Sequence, residues 1–207
     1  MAPPRHALNA SSLPIGSEVA RKGLHLAGAA LPLAYALGAS RISLVAILAV
    51  ASTLALLTEG ARRASPAFEG RFDRLFGRLV RPHERRAITG ATWLSLSCFV
   101  AVAVLSRRAA IAALWSATVG DPAATLVGRS WTIWRATPSR RSARKTIAGT
   151  LGCALASFAG VWLVAGFPPA PAAVVAIGAA LAEAMPLVID DNVRVAAAAG
   201  TIAQLLA

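Results

Sequence analysis

Two short runs in this chain carry residue types suited to phosphate chemistry. Gly120-Asp121-Pro122-Ala123-Ala124 sets an acid inside an apolar segment, and Lys145-Thr146-x-x-Gly149 closes an Arg-rich loop. A carboxylate in apolar surroundings is costly unless it pairs or binds a cation. A lysine–threonine–glycine turn is suited to holding phosphate. Hard oxygen ligands together with substrate phosphates are the usual way to hold magnesium, so the two runs point to magnesium-nucleotide chemistry.

Further residues share that character. Lys22 and Lys145 are the two lysines among 21 basic residues, so arginine serves wherever bare positive charge suffices. A compact ammonium on a flexible stem reaches a single phosphate oxygen in a way that a guanidinium does not. Glu18, Arg21, Lys22 and His25 fall on one helical face. Of nine acidic residues, five lie in or beside apolar runs: Glu59, Asp121, Glu183, Asp190 and Asp191. Each has a plain structural alternative: Glu59 can pair with Arg62 or Arg63, and Asp190-Asp191-Asn192 can cap a helix.

The elements that must position these groups are apolar helices. The chain is 57% hydrophobic and 14% charged, with mean hydropathy +0.62. Apolar runs at roughly 24–38, 42–58, 90–105, 109–128, 147–166, 171–188 and 194–206 approach the length of a bilayer crossing. The expected fold is all-α: one polytopic integral membrane bundle over residues 1–207, with about seven transmembrane helices. A signal peptide ending near Ala36-Leu37-Gly38-Ala39 is the competing reading of the first run. Its polar lead of some twenty residues (1–20) is long for that role and Pro32 interrupts it, so a retained helix is expected.

Basic residues orient the bundle. Arg5, Arg21, Lys22, the arginines of the 59–88 loop, those of the 129–146 loop with Lys145, and Arg194 fall on one side. Arg41, Arg107 and Arg108 fall on the other. The positive-inside rule then puts the N-terminus and both large loops in the cytoplasm, and with them all five acids, as expected for the plasma membrane of a prokaryote. The net charge of +12 is largely this topology signal, so no nucleic-acid partner is implied; it also favours anionic headgroups and phosphorylated ligands. Cys98 and Cys153 lie inside apolar runs, where cysteine packs as a small hydrophobe.

Within the 59–88 loop, Phe68, Phe72, Leu75, Phe76, Leu79 and Val80 recur at helical spacing with Arg71, Arg74, Arg78 and Arg81 between them. The spacing predicts a basic amphipathic helix over 66–80 in the headgroup layer: a connector, a platform for a lipid substrate, or both. His83-Glu84 and Thr89-Gly90-Ala91-Thr92-Trp93 follow, offering a base, an acid and hydroxyls at a helix mouth, or simply a cap at Thr89 or Thr92. Trp131 and Trp134 suit interface anchors. No Walker motif, GxGxxG or protein-kinase signature is present.

Gly120-Asp121-x-x-Ala124-x-x-x-Gly128-Arg129 followed by Lys145-Thr146-x-x-Gly149-Thr150 resembles the core of the CTP-dependent lipid-alcohol kinases. These are the polyprenol (dolichol), phytol and eukaryotic-type diacylglycerol kinases, distantly similar to phosphatidate cytidylyltransferases. Arg21-Lys22-x-x-His25, His83-Glu84 with Thr89-Gly90, Glu183-Ala184 and Asp191-Asn192 extend the resemblance over residues 18–192. It implies transfer of the γ-phosphoryl of CTP to a membrane lipid alcohol, with Mg2+ as cofactor. Asp121 would hold magnesium with help from Glu183 and Asp191. Arg21, Lys22, Gly128, Arg129, Lys145, Thr146 and Gly149 would form the nucleotide and phosphate site. Lys22 would reach a transferring oxygen, and His25, Glu183 and Asp191 are alternative acceptors of the hydroxyl proton. One departure stands out: the family pattern usually reads Lys-Ser/Thr-x-Glu-Gly, and Ala148 replaces that acid here. Rival expectations are a lipid-phosphate cytidylyltransferase, a small transporter with acids spread along a path through the membrane, and a lapsed, lipid-binding relative.

Overall fold

The computed structural model describes residues 15–134, 145–187 and 189–207. The structure is 82% helix, and no strand occurs among the described residues. The helices are α1 (Ile15–Ala27), α2 (Ala30–Ala36), α3 (Arg41–Ala64), α4 (Pro66–Phe76), α5 (Gly90–Val104), α6 (Arg107–Trp115), α7 (Asp121–Trp134), α8 (Ile147–Leu163), α9 (Pro169–Ala184) and α10 (Asp191–Leu205). A 3-10 turn at Pro82–Arg85 interrupts the loop between α4 and α5.

Local chemistry sets the boundaries. The hydroxyls of Ser40, Ser65 and Thr146 accept from the amides of Ser43, Phe68 and Gly149, and the Asp190 carboxylate accepts from Asn192, capping α3, α4, α8 and α10. Gly38 (φ 114°) follows α2 and Gly166 (φ 72°) follows α8, each in the left-handed region that a side chain disfavours. From α6 to α7 the chain stays helical through a π-helical segment, Ser116–Gly120. Its cause is Pro122. Proline has no N–H to give the carbonyl four residues back, and its ring crowds that carbonyl. The turn widens, and the Asp121 amide bonds Ser116 O five residues away.

Two expected helices come out differently. The first apolar run breaks between α1 and α2, where Gly28 lies against the π segment: a Cβ there would stand 3.0 Å from Thr118 Cγ2 and 2.9 Å from the His25 carbonyl. The amphipathic helix stops at Phe76, because the chain turns so that Val80 is buried.

Small residues fill the contacts between helices. α8 packs on α7 and α9, and α10 on α9, α6 and α5, around a core rich in alanine that includes Ala109, Ala112, Ala113, Ala172 and Ala199. At Gly160 α8 leaves room for the Trp115 indole, whose N–H donates to Ala156 O at 2.9 Å. The larger aliphatic side chains point the other way, with Ile42 82% and Ile147 83% exposed and Leu54, Leu155 and Ile177 also outward. The interior, by contrast, holds Glu18, Lys22, Glu59, Arg62, Asp121 and Glu183. Two helices, Arg41–Ala64 and Arg107–Trp131, are long and apolar enough to cross a membrane; Gly90–Val104, Ile147–Leu163 and Pro169–Ala184 are apolar but shorter.

Candidate functional site

The buried charges converge at one end of the bundle, where α1, the loop before α5, the start of α7, the chain before α8 and the α9–α10 junction meet. Lys22 on α1 bonds the Asp121 carboxylate at the start of α7, and each residue is 1% exposed. Placing both ions out of water costs several kcal/mol apiece, which their attraction offsets only in good geometry. The other carboxylate oxygen, Asp121 Oδ1, is buried without a hydrogen-bond partner among the described residues. The acid therefore keeps one hard oxygen in reserve.

Lys145 makes a second junction. Its ammonium bonds Glu183 at the end of α9 and lies 3.7 Å from Asp191 at the start of α10. Both of the chain's lysines thus sit on acids the sequence singled out. Lys145 is the more open of the two, with 37% of its side chain exposed.

His25, one turn beyond Lys22, is buried, and its Nε2 has no partner among the described residues. It lies within electrostatic reach of Asp121 and Asp191. Glu18 completes the α1 face by accepting from Arg21 at 2.7 Å and from Arg81 at 3.0 Å. Burial alone would push the Glu18 carboxyl up, but these two guanidiniums outweigh it and hold it at about 2. Burial likewise opposes the Arg81 charge, which Glu18 and Asp191 restore and strengthen.

Around this centre runs a polar frame. Glu59 accepts from Thr89 N at 2.9 Å, Thr89 Oγ1 at 2.8 Å, Thr92 Oγ1 at 3.2 Å and Arg62 at 2.9 Å. Of the two arginines the sequence offered Glu59, the structure selects Arg62. It also turns the Thr89 and Thr92 hydroxyls onto that acid, so Thr89 makes no side-chain cap on α5. Arg62 reaches on to the carbonyls of Glu84 and Arg85. Glu84 is engaged by amides, those of Arg81 at 2.9 Å and Gly90 at 3.3 Å. Asn192 donates to Gly90 O at 3.1 Å and to Asp190 at 2.8 Å, while its own Oδ1 is buried without a partner among the described residues. Burial and the neighbouring Asp191 push the Asp190 carboxyl up to about 6, against the Asn192 amide.

Other expected site residues are drawn into packing. Gly128 and Gly149 form a close α7–α8 crossing: a Cβ on Gly128 would meet Thr146 Oγ1 at 2.7 Å, and one on Gly149 would meet Ala124 O at 2.7 Å. Thr146 spends its hydroxyl on the α8 cap. Arg129 is half-buried two turns past Asp121, about 12 Å along the axis. Trp131 is exposed. The side chains of His83 and Trp134, the residues before 15 and the arginines at 135, 140, 141 and 144 lie outside the described residues.

One participant was not expected from the sequence, and a second was read there only as part of a motif. Arg81 had read as one more arginine of the amphipathic helix. Gly90 lies where a Cβ would stand 3.2 Å from Glu84 Oε1, 3.4 Å from Asn192 Nδ2 and 3.7 Å from Asp190 Oδ2. No three His, Cys, Asp or Glu side chains gather closely enough to hold a metal ion among the described residues. The carboxylates are spaced by lysines instead. Compared with known proteins, the chain matches no family model, no curated protein and no solved structure.

Proposed function

We propose that this protein is a multi-pass membrane kinase that transfers the γ-phosphoryl group of CTP to the hydroxyl of a membrane lipid alcohol. The observation that carries the reading is the interleaving of two lysines with Asp121, Glu183 and Asp191 at one end of the bundle. Cations and acids held against one another suit a ligand that brings both signs of charge. A nucleotide triphosphate with its divalent ion offers phosphates to the lysines and a cation to the acids.

Asp121 Oδ1 would give magnesium one ligand, with Glu183 or Asp191 as a second; an ion that arrives with phosphates needs only one or two protein carboxylates. Bound there, the ion would neutralise phosphate charge during transfer. Lys145 and Lys22 hold the triphosphate from two sides, with Arg21 and Arg129 nearby on their helices. The alcohol oxygen attacks the γ-phosphorus, the bond from that phosphorus to the β-phosphate oxygen breaks, and CDP leaves. The hydroxyl proton passes to an acceptor at this end, where His25 Nε2, Glu183 and Asp191 are the groups able to take it. Positioning and charge neutralisation do most of the work in such transfers. The choice of CTP, and the family itself, rest on the sequence resemblance.

Membrane placement is supported by the exposed aliphatic faces and the two long apolar helices. Seven crossings follow if α1–α2, α3, α5, α6–α7, α8, α9 and α10 each span, with α4 at the surface. The N-terminus and the site then face the cytoplasm, the side with eighteen of the 21 basic residues.

The test is incubation of purified protein in nanodiscs with γ-labelled CTP or ATP and a panel of polyprenol, phytol-like and diacylglycerol acceptors. Label on a lipid, with CTP preferred, supports the kinase. Label only in pyrophosphate would move the assignment to a cytidylyltransferase. Transfer to no alcohol sinks the proposal.

A further inference from the structure

An apolar groove of about 380 Å3 lies between α5 and α10, below the polar corner where Asn192 stitches the two helices together at Gly90. Trp93 and Val193 line its head; Val100, Val104, Ala197 and Thr201 continue the wall. No charged side chain is among the described residues that line it. Its foot is Leu105, whose Cδ1 lies 2.6 Å from where a Cβ on Gly200 would be, so the two helices close there. From Trp93 to Leu105 the groove runs about 18 Å along the helix. Val100 and Val104 are 53% and 72% exposed, so its long side opens laterally.

We infer that this groove holds the single hydrocarbon chain of the acceptor alcohol, with the hydroxyl at the Gly90–Asn192 corner. This deepens the kinase reading and rests on it. Three observations select that occupant. The wall is uncharged, with Ser97 and Thr201 its polar members, and Val193 at the head adjoins Asn192, 1% exposed, whose Oδ1 has no partner among the described residues and can accept from a hydroxyl. The head is continuous with the site, since Asn192 also bonds Asp190 and adjoins Asp191 beside Lys145. The volume sits at the small end of the roughly 300–1,000 Å3 typical of small-ligand sites, which fits one chain and not two. The acceptor is therefore a linear isoprenoid or fatty alcohol, in preference to diacylglycerol. Lateral opening lets the chain slide in from the bilayer without crossing the charged mouth.

The test has two arms. In the first, a long-chain alcohol with a diazirine at its tail is photolysed with the protein in nanodiscs, and the adducts are mapped. Adducts on α5 and α10, displaced by excess unlabelled prenol but not by dioleoylglycerol, are expected. Adducts spread over outward residues such as Leu54 and Leu155 without displacement overturn the proposal. So does seating of a second copy's helix in the groove, seen as a Val100→Cys self-crosslink that excludes the probe. In the second arm Ala197→Phe fills the groove from its exposed side. The expected result is at least a tenfold rise in KM for the prenol with KM for CTP unchanged; an unchanged prenol KM overturns the groove while leaving the kinase. If the wild-type protein phosphorylates no alcohol, the kinase reading falls, and the photolabelling arm still decides whether the groove binds a chain.

Discussion

The two ends of this bundle treat positive charge in opposite ways. At the end away from the lysines, Arg107 donates to Tyr35 O and stacks on the Tyr35 ring at 5.0 Å. Arg108 donates to the carbonyls of Ala165 and Gly166 and lies 4.4 Å from the Phe167 ring centroid. Arg41 donates to Ala103 O. These guanidiniums tie off orphan carbonyls where helices stop, and no carboxylate pairs with them among the described residues. At the other end cations meet acids, and Asp121 Oδ1, Asn192 Oδ1 and His25 Nε2 are buried without partners among the described residues. A buried polar atom without a partner costs free energy; at the first end the Ser106 hydroxyl is in that state and none of the three arginines is. The difference separates an end where cations finish helices from the end on which the proposed kinase reading rests.

The sharpest way to break that contrast is to remove the charges of the Lys22–Asp121 pair singly and together. Lys22→Ala strands a buried carboxylate and should cost about 3–5 kcal/mol, read as thermal unfolding in detergent. Asp121→Asn should abolish phosphoryl transfer. The informative variant is Lys22→Met with Asp121→Leu, which replaces the pair by apolar groups. It should unfold at or above the wild-type temperature, since such replacements are neutral to stabilising by about 1–4 kcal/mol, yet show no activity. A double variant that keeps activity would make the pair a mere structural tie, like the arginines opposite.

A smaller effect compares like substitutions at the two ends. Lys145→Arg keeps the charge but replaces a point ammonium between Glu183 and Asp191 with a broad fork. Turnover should fall on the order of 10²-fold, as for loss of one preorganised charge contact. Stability should move by less than about 1 kcal/mol, because Lys145 is partly exposed. Arg108→Lys at the other end should lose about 1 kcal/mol from its carbonyl and ring contacts and leave turnover unchanged. Equal turnover losses at both ends would erase the distinction.

Much of this arrangement was legible in the chain itself. Apolar runs define where an acid does not belong, so Asp121, Glu183 and Asp191 stood out, and the rarity of lysine marked Lys22 and Lys145. That the lysines rest on those acids was not legible, since Lys22 and Asp121 are 99 residues apart and only packing joins them. Arg81 looked like its neighbours on the amphipathic segment because its bond to Glu18 exists only in three dimensions. Gly128, Gly149 and Thr146 read in the sequence as a phosphate turn, and the structure gives them packing and capping contacts. Glycines that let backbone approach a phosphate are the same glycines that let two helices touch. The π-helical turn did leave a mark, Pro122, whose missing N–H follows directly upon the acid it displaces.

The weakest expected effect concerns the edge of the end that holds the lysines. Asp190 has its folded carboxyl raised from 3.8 to about 6 by burial and by Asp191. A raised folded value means that the folded protein binds this proton more tightly than the unfolded chain does. Its contribution is therefore fully present below about pH 3.8 and is lost as pH rises through 6. Glu18 runs the other way: held at about 2, its contribution is present above its ordinary value of 4.5 and lost as pH falls toward 2. Unfolding temperatures of Asp190→Asn between pH 4 and 7 should fall less steeply with rising pH than those of wild type, because the titrating group is gone while the α10 cap keeps an amide oxygen. Glu18→Gln should act on the acid side instead, flattening the curve below about pH 4.5. If Asp190→Asn alters nothing between pH 4 and 7, burial and Asp191 do not raise the Asp190 carboxyl, and the cluster at the α9–α10 junction shrinks to Lys145 with Glu183 and Asp191.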